Sequence, residues 1–286
     1  MPNLYSNRDI LKAALSLPAS ATDKHTLLDA ALEGVCREID AYVGFQFFPS
    51  SGTRYYRPSK SLELDLDYPL LNIDSIELDT DGDATYEITL TTSDYFTVPY
   101  NATEKSPPDP HFALEIRDNA TAVFPTRVQR GAKVKGTWGY YDEREETTAK
   151  PSTAITAAQT TIKFSGAANL HPGQTIRVDD EQMFVVANGL SGSDTATASG
   201  VVTVQRGLNG TSGATHSSLS TMSVYTYPIV ERAALYQTAM DYRAQDAPLG
   251  VAAGDISQGG QMLRAPGGLH PFVRRILDQY RVPVAR

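Results

Sequence analysis

The chain has 286 residues with 25 basic and 33 acidic side chains, a net charge of −8 and one cysteine. That length supports a sizeable core in one large or two modest domains, and 41% hydrophobic with 20% charged residues describes a globular rather than a disordered chain. The lone Cys36 excludes an internal disulfide framework and a multi-thiolate zinc site, no apolar run reaches bilayer length, and the acidity argues against a protein that grips DNA, which needs a basic face.

The charge is uneven. Residues 1–141 hold 13 basic and 20 acidic residues, a net of −7. Residues 142–225 hold 5 and 8, a net of −3, and residues 226–286 hold 7 and 5, a net of +2. An acidic body therefore leads to a mildly basic end, a polarity that suits docking of that end on something acidic.

Ser6 and Asp9 form an S-x-x-D capping pattern, and Ile10, Leu11, Ala14 and Leu15 follow at helical spacing until Pro18. A second helix is predicted over about residues 24–43, with Leu28, Leu32, Val35, Ile39 and Tyr42 along one face. Cys36 lies beside that stripe and reads as a small buried hydrophobe. From Tyr55 the period becomes two. Leu62, Leu64 and Leu66 alternate with Glu63, Asp65 and Asp67, giving a strand with one buried and one acidic face. A second strand over Ile73–Leu78 turns at Asp81-Gly82 and returns through Tyr86, Ile88 and Leu90. After a proline-rich loop, strands resume at Phe112–Arg117 and Arg127–Trp138.

Between Asp142 and about Tyr225 the chain becomes rich in Thr, Ser, Ala and Gly, with short strands at 161–164, 174–178, 182–186 and 201–204. Asp179-Asp180, Gly189 to Gly192 and Asn209-Gly210 supply turns, and the pattern predicts a small all-β barrel or sandwich. A helix follows Pro228, carrying Val230, Ala234, Leu235, Ala239 and Tyr242. Residues 247–268 hold six glycines and read as a loop. A last helix begins near His270-Pro271, with Phe272, Val273, Ile276, Leu277 and Tyr280 opposite Arg274, Arg275 and Arg281.

The run Asp79-Thr80-Asp81-Gly82-Asp83 invites a calcium reading, but the glycine is fourth and Glu87 ninth, where an EF-hand loop needs sixth and twelfth. A solvated hairpin turn fits it better. The five histidines show no ligand-like spacing, and no nucleophile elbow, phosphate loop or dinucleotide fingerprint occurs; Gly189-Leu190-Ser191-Gly192-Ser193 is a glycine-serine turn. Arg206 is placed to bridge the Asp179–Glu181 turn and hold the fold.

Several segments carry a resemblance in their order: the helix pair entering Tyr42-Val43-Gly44, the stretch Leu64–Ile76 with Tyr68-Pro69-Leu70, the strand ending Gly136-Thr137-Trp138-Gly139-Tyr140, the helix opening Pro228–Leu235, and the closing Leu269–Arg281. Together they resemble the head–tail connector proteins, or adaptors, of tailed double-stranded DNA bacteriophages. The middle segment, with Gly173–Met183, Val204–Thr211 and Ala214-Thr215-His216, resembles a small β module common in phage structural proteins.

The resemblance implies an α+β fold: a helical head–tail adaptor domain with a small antiparallel β part at 1–141 and 226–286, interrupted by an inserted all-β barrel or sandwich at 142–225. It implies a non-enzymatic virion protein of the neck, assembled in the host cytoplasm, without cofactor or metal and away from membranes. Copies would form a ring, a dodecamer in the family, beneath the portal protein. That ring would extend the DNA channel and receive the next neck or tail-completion protein. Portal binding would fall to Phe272, Arg274, Arg275, Leu277, Tyr280, Arg281 and Arg286. Asp65, Asp67, Asp79, Asp81 and Asp83 would face the channel and repel DNA passing without sequence-specific binding. The alternative is a tail-associated β protein that binds a host-surface glycan.

Overall fold

In a computed structural model, residues 3–188, 200–218, 220–244, 251–252, 263–264 and 268–281 are described. They form two compact units: Met1–Val43 with Arg144–Leu208 and Ser212–Arg281, and Gly44–Glu143 with Asn209–Thr211. The expected turn at Gly189 to Gly192, most of the glycine-rich 247–268 and Arg286 lie outside the described residues.

The second of these units is a six-stranded antiparallel sheet: β1 (Ser50–Tyr56), β2 (Glu63–Leu78), β3 (Ile88–Leu90), β4 (Tyr95–Val98), β5 (His111–Ile116) and β6 (Ala132–Trp138). Its order is β1-β6-β2-β5-β4, with β3 also on β2. The alternation of Leu64 and Leu66 with Asp65 and Asp67 turns the leucines into a core with Ile76, Leu78, Leu114, Ile116, Val134 and Trp138. β2 runs 16 residues unbroken, so the two strands expected at 62–67 and 73–78 are one element, starting at Glu63. It passes through Pro69 because the β5 ladder shifts register between Asp65 and Leu70, where no donor is required. Gly136 lets β2 and β6 close, since a Cβ there would meet the Asn72 carbonyl oxygen at 2.1 Å.

The other unit joins four helices to a seven-stranded antiparallel sheet. α1 (Arg8–Ala14), α2 (His25–Val43), α3 (Pro228–Ala244) and α4 (Pro271–Leu277) bury Leu11, Leu28, Leu32, Ile39, Val230, Ala234, Val273 and Leu277. Cys36 is buried on α2, and burial pushes its thiol up to about 12. Asn7, not Ser6, caps α1, accepting the N–H groups of Asp9 and Ile10 at 3.1 Å each, while the Ser6 hydroxyl turns to Glu231 at 2.9 Å. The sheet orders β7 (Arg144–Glu146), β13 (Met222–Tyr225), β10 (Thr175–Val178), β11 (Glu181–Asn188), β12 (Gly200–Gln205), β9 (Thr161–Ser165) and β8 (Lys150–Pro151). Ile162, Phe164, Ile176, Met183, Val185, Val202 and Val204 fill its core. A two-residue ladder pairs Val251–Ala252 with Leu263–Arg264. The sheet meets the helices directly: Arg8 N–H donates to the Pro172 carbonyl at 3.4 Å, and His171 Nδ1 lies 2.8 Å from Asp9.

The expected helical adaptor domain with a small β part is thus corrected. Among the described residues α-helix is confined to residues 8–43 and 228–277, and the rest is mostly antiparallel β in two main sheets. The cause is legible in residues 44–141: apolar side chains alternate at Leu62–Leu66, Tyr86–Leu90 and Ala132–Trp138, with prolines and glycines between, so these segments present sheet faces rather than helical ones. The α-helices themselves start and stop close to the expected places.

Candidate functional site

α4 begins where Pro271 supplies a preset first-turn φ and His270 caps, its Nδ1 accepting the Phe272 N–H at 3.2 Å. The His270 N–H donates to Gln237 Oε1 at 2.8 Å, which fixes the start of α4 on α3. With Val273 and Leu277 buried inward, helical spacing turns Phe272, Arg274 and Arg275 outward. The Phe272 ring lies 4.9 Å from Tyr236 and has the guanidinium groups of Arg232 and Arg275 at 5.3 and 5.5 Å. Tyr236 and Ile229 are exposed on α3. Past α4, Tyr42 donates its hydroxyl to Asp278 at 2.6 Å, and Arg281 sits 5.2 Å over the Tyr42 ring. The hydrogen bond to Asp278 holds the Tyr42 hydroxyl above the usual tyrosine range.

Of the expected portal-binding residues, Phe272 and Arg275 meet Arg232 and Tyr236, while Arg274 and Arg281 lie near Tyr42. Leu277 and Tyr280 are instead buried, at 0% and 6% exposure, and serve the helix packing. Sequence reasoning missed Ile229, Arg232, Tyr236 and Tyr42. Their signal was available: Ile229, Arg232 and Tyr236 step by three and four along the side of α3 opposite its apolar stripe. Arginine and aromatic side chains held by each other are the composition of an interaction hot spot.

The five expected channel acids fall in two places. Asp65 and Asp67 are exposed on β2, but Lys60 lies 3.6 Å from Asp65, and Asp67 has Arg54 at 3.9 Å and accepts the Tyr56 hydroxyl at 2.9 Å. Asp79, Asp81 and Asp83 cluster with Glu87, their oxygens within 4.8 Å of one another. An all-carboxylate set of this kind has the chemistry of a hard-cation site. Backbone donors already use these oxygens, however: Asp79 accepts Gly82 and Ala84 N–H at 2.7 and 2.9 Å, Asp81 accepts Asp83 at 3.2 Å and Asp83 accepts Thr85 at 2.7 Å. The side chain of Asp79 is turned in and its residue is 2% exposed, while Asp81 and Asp83 stay in solvent. The turn is built as chained Asx-type hydrogen bonds.

A third cluster sits in the seven-stranded sheet. Arg206 donates through Nε and Nη2 to the two oxygens of Glu181, at 2.6 Å each, and further to the carbonyls of Thr156, Gln159 and Ala214. Glu181 also accepts Gly207 and Ala214 N–H, and His216 lies between it and Asp179 at 2.9 and 2.8 Å. Burial alone would raise the Glu181 carboxyl, but Arg206, the Ala214 N–H and His216 outweigh it and hold it low. Every donor is spent on the fold, so this cluster clamps the 206–216 loop rather than a ligand.

No protein-family model, curated protein or solved structure matches this chain. Among the described residues no helix is long and apolar enough to cross a membrane.

Proposed function

We propose that this chain is a virion neck adaptor, whose copies form a ring beneath the portal, extend the DNA channel and receive the tail-completion protein. The reading starts from the resemblance in segment order. The observation that carries it furthest is the half-buried Phe272, held between Arg232, Arg275 and Tyr236. A partly buried ring braced by two arginines loses little entropy on docking, and its cations suit an acidic portal surface. Leu277 and Tyr280 support this surface from beneath. Asp81 and Asp83, the least neutralised of the acids, are the ones assigned to the DNA path, where repulsion lets phosphates slide. Assembly takes place in the host cytoplasm and the product is the virion neck.

The test is capture of the purified full chain by its portal ring. Phe272→Ala with Arg275→Ala should weaken capture about a hundredfold, the scale of two hot-spot truncations; unchanged capture would remove the assignment. A second reading, a tail-associated β protein that binds host glycan, draws support from the predominance of β structure. It predicts retention on a glycan surface with no portal capture.

A further inference from the structure

Two exposed aromatic clusters lie at opposite ends of the path β1-β6-β2-β5-β4 and carry opposite charge. At the β1 end, Tyr55 is 43% exposed and its ring lies 6.4 Å from Tyr86. The Arg130 guanidinium sits 3.8 Å over Tyr55, and the Lys133 ammonium 5.1 Å from the Tyr86 ring. Lys135 is exposed on β6 opposite Thr53. Two carboxylates offset part of this charge: Glu77 pairs with Lys133 at 2.8 Å, and Asp79 acts on the Tyr86 hydroxyl.

At the β4 end, Phe96 and Tyr100 are 43% and 63% exposed and meet edge to face at 5.8 Å. Phe96 stands opposite Glu115, which accepts the Tyr100 hydroxyl, and Glu115 stands opposite Glu63 across the β2–β5 ladder. Asp65 follows on the same strand face as Glu63. Lys60 reaches Glu63 at 2.7 Å and Asp65 at 3.6 Å, and Arg117 sits 3.8 Å over Phe96. Like charges directly opposite each other on a ladder are unfavourable, and Glu63, Asp65 and Glu115 outnumber the two cations Lys60 and Arg117 here.

We propose that the two clusters bind each other between copies, the Tyr55/Arg130/Lys135 surface of one chain docking on the Phe96/Tyr100/Glu63/Glu115 surface of the next. The inference rests on the ring reading and names the contact that builds the ring. Charge selects the occupant: joining either cluster to its own kind brings like charges together, while joining it to the other relieves the Glu63–Glu115 repulsion. Two different surfaces in contact make a heterologous interface, which propagates and closes into a ring when the rotation allows. The aromatic rings are already held by guanidinium stacking or by the Glu115 hydrogen bond, so little freedom is lost on binding.

The test uses the full chain, alone and on the portal ring, with mass measured across a concentration series. Arg130→Glu/Lys135→Glu makes both clusters acidic, and Glu63→Lys/Glu115→Lys makes both basic. Each should weaken assembly at least about tenfold, and mixing the two should restore it, because every junction of an alternating ring again joins opposite charges. The exposed Tyr55→Ser and Tyr100→Ser variants, which leave core and charge untouched, should each weaken assembly about tenfold as well. Variants that assemble like the parent chain, or a mixture that fails to recover, would overturn this contact while leaving the ring reading in place. A parent chain that stays monomeric even with the portal would overturn both.

Discussion

Replacing Arg206 by alanine strikes the most heavily bonded side chain of the seven-stranded sheet. Its partner Glu181 has a side chain 1% exposed and Arg206 itself is 7% exposed, so neither can turn to water. Stranding one member of a buried pair costs about 3–5 kcal/mol. Here Gly207, Ala214 and His216 still serve the carboxylate, which places the electrostatic part at about 3 kcal/mol. The carbonyls of Thr156, Gln159 and Ala214 lose their donor, adding about 1 kcal/mol once partial hydration is allowed. A total of about 4 kcal/mol corresponds to roughly a thousandfold faster amide exchange through the opened state. The readout is exchange at Val178, Met183 and Val204, because fluorescence of Trp138 reports the other unit. The companion Glu181→Gln and the double variant complete a cycle, with an expected coupling of about 2 kcal/mol. Exchange accelerated less than about fivefold would put the pair in the range of exposed ion pairs and refute the clamp.

Other outcomes follow from the same geometry. Asp179 and Glu181 are held below their ordinary values of 3.8 and 4.5, so they contribute stability above those values and lose it as pH falls through the lower folded ones. Acid unfolding of the seven-stranded sheet should therefore flatten in Glu181→Gln, and an unchanged acid limb would contradict it. Glu231 has the opposite sign: burial chiefly raises it, Glu145 adds to this and Ser6 only partly offsets them. Glu231→Gln should gain up to about 1 kcal/mol at pH 7, fading as pH falls through the raised folded value toward 4.5, as thermal melts across pH would show. Gly210 has φ +77 and a Cβ there would meet the Ser51 carbonyl oxygen at 2.1 Å, so Gly210→Ala should cost about 2–3 kcal/mol in melting while Thr53→Ala, exposed on the same strand, costs little. Cys36 should react with a thiol reagent only at the rate of unfolding; labelling faster than unfolding would place it nearer the surface.

Much of the element list was legible because periodicity and punctuation agree. Pro228 and His270-Pro271 mark helix starts, and Leu64–Asp67 alternates without exception. Balance between elements was not legible. The family-like order drew weight toward helices, whereas the long β2 continues through Pro69 by a ladder irregularity that no local pattern announces. β1, β4, β7, β8 and β13 were passed over because they are short or polar on their exposed side, such as the Ser51-Gly52-Thr53 part of β1. Within the docking surface, the arginines of α4 could be named from one helix, but its other half comes from α2 and α3, more than thirty residues away in sequence. Helical facing did place Leu277 and Tyr280 beside Val273 on the apolar side of the last helix, the side the structure buries. Likewise, the bridge from Arg206 to the Asp179–Glu181 turn was readable because the turn signal fixes both ends.

The most direct measurement of the neck-adaptor account is the mass and negative-stain image of the purified chain mixed with its portal. The account predicts a closed ring of copies seated on the portal, lost with Phe272→Ala/Arg275→Ala. A monomer that leaves the portal bare at every concentration would contradict it.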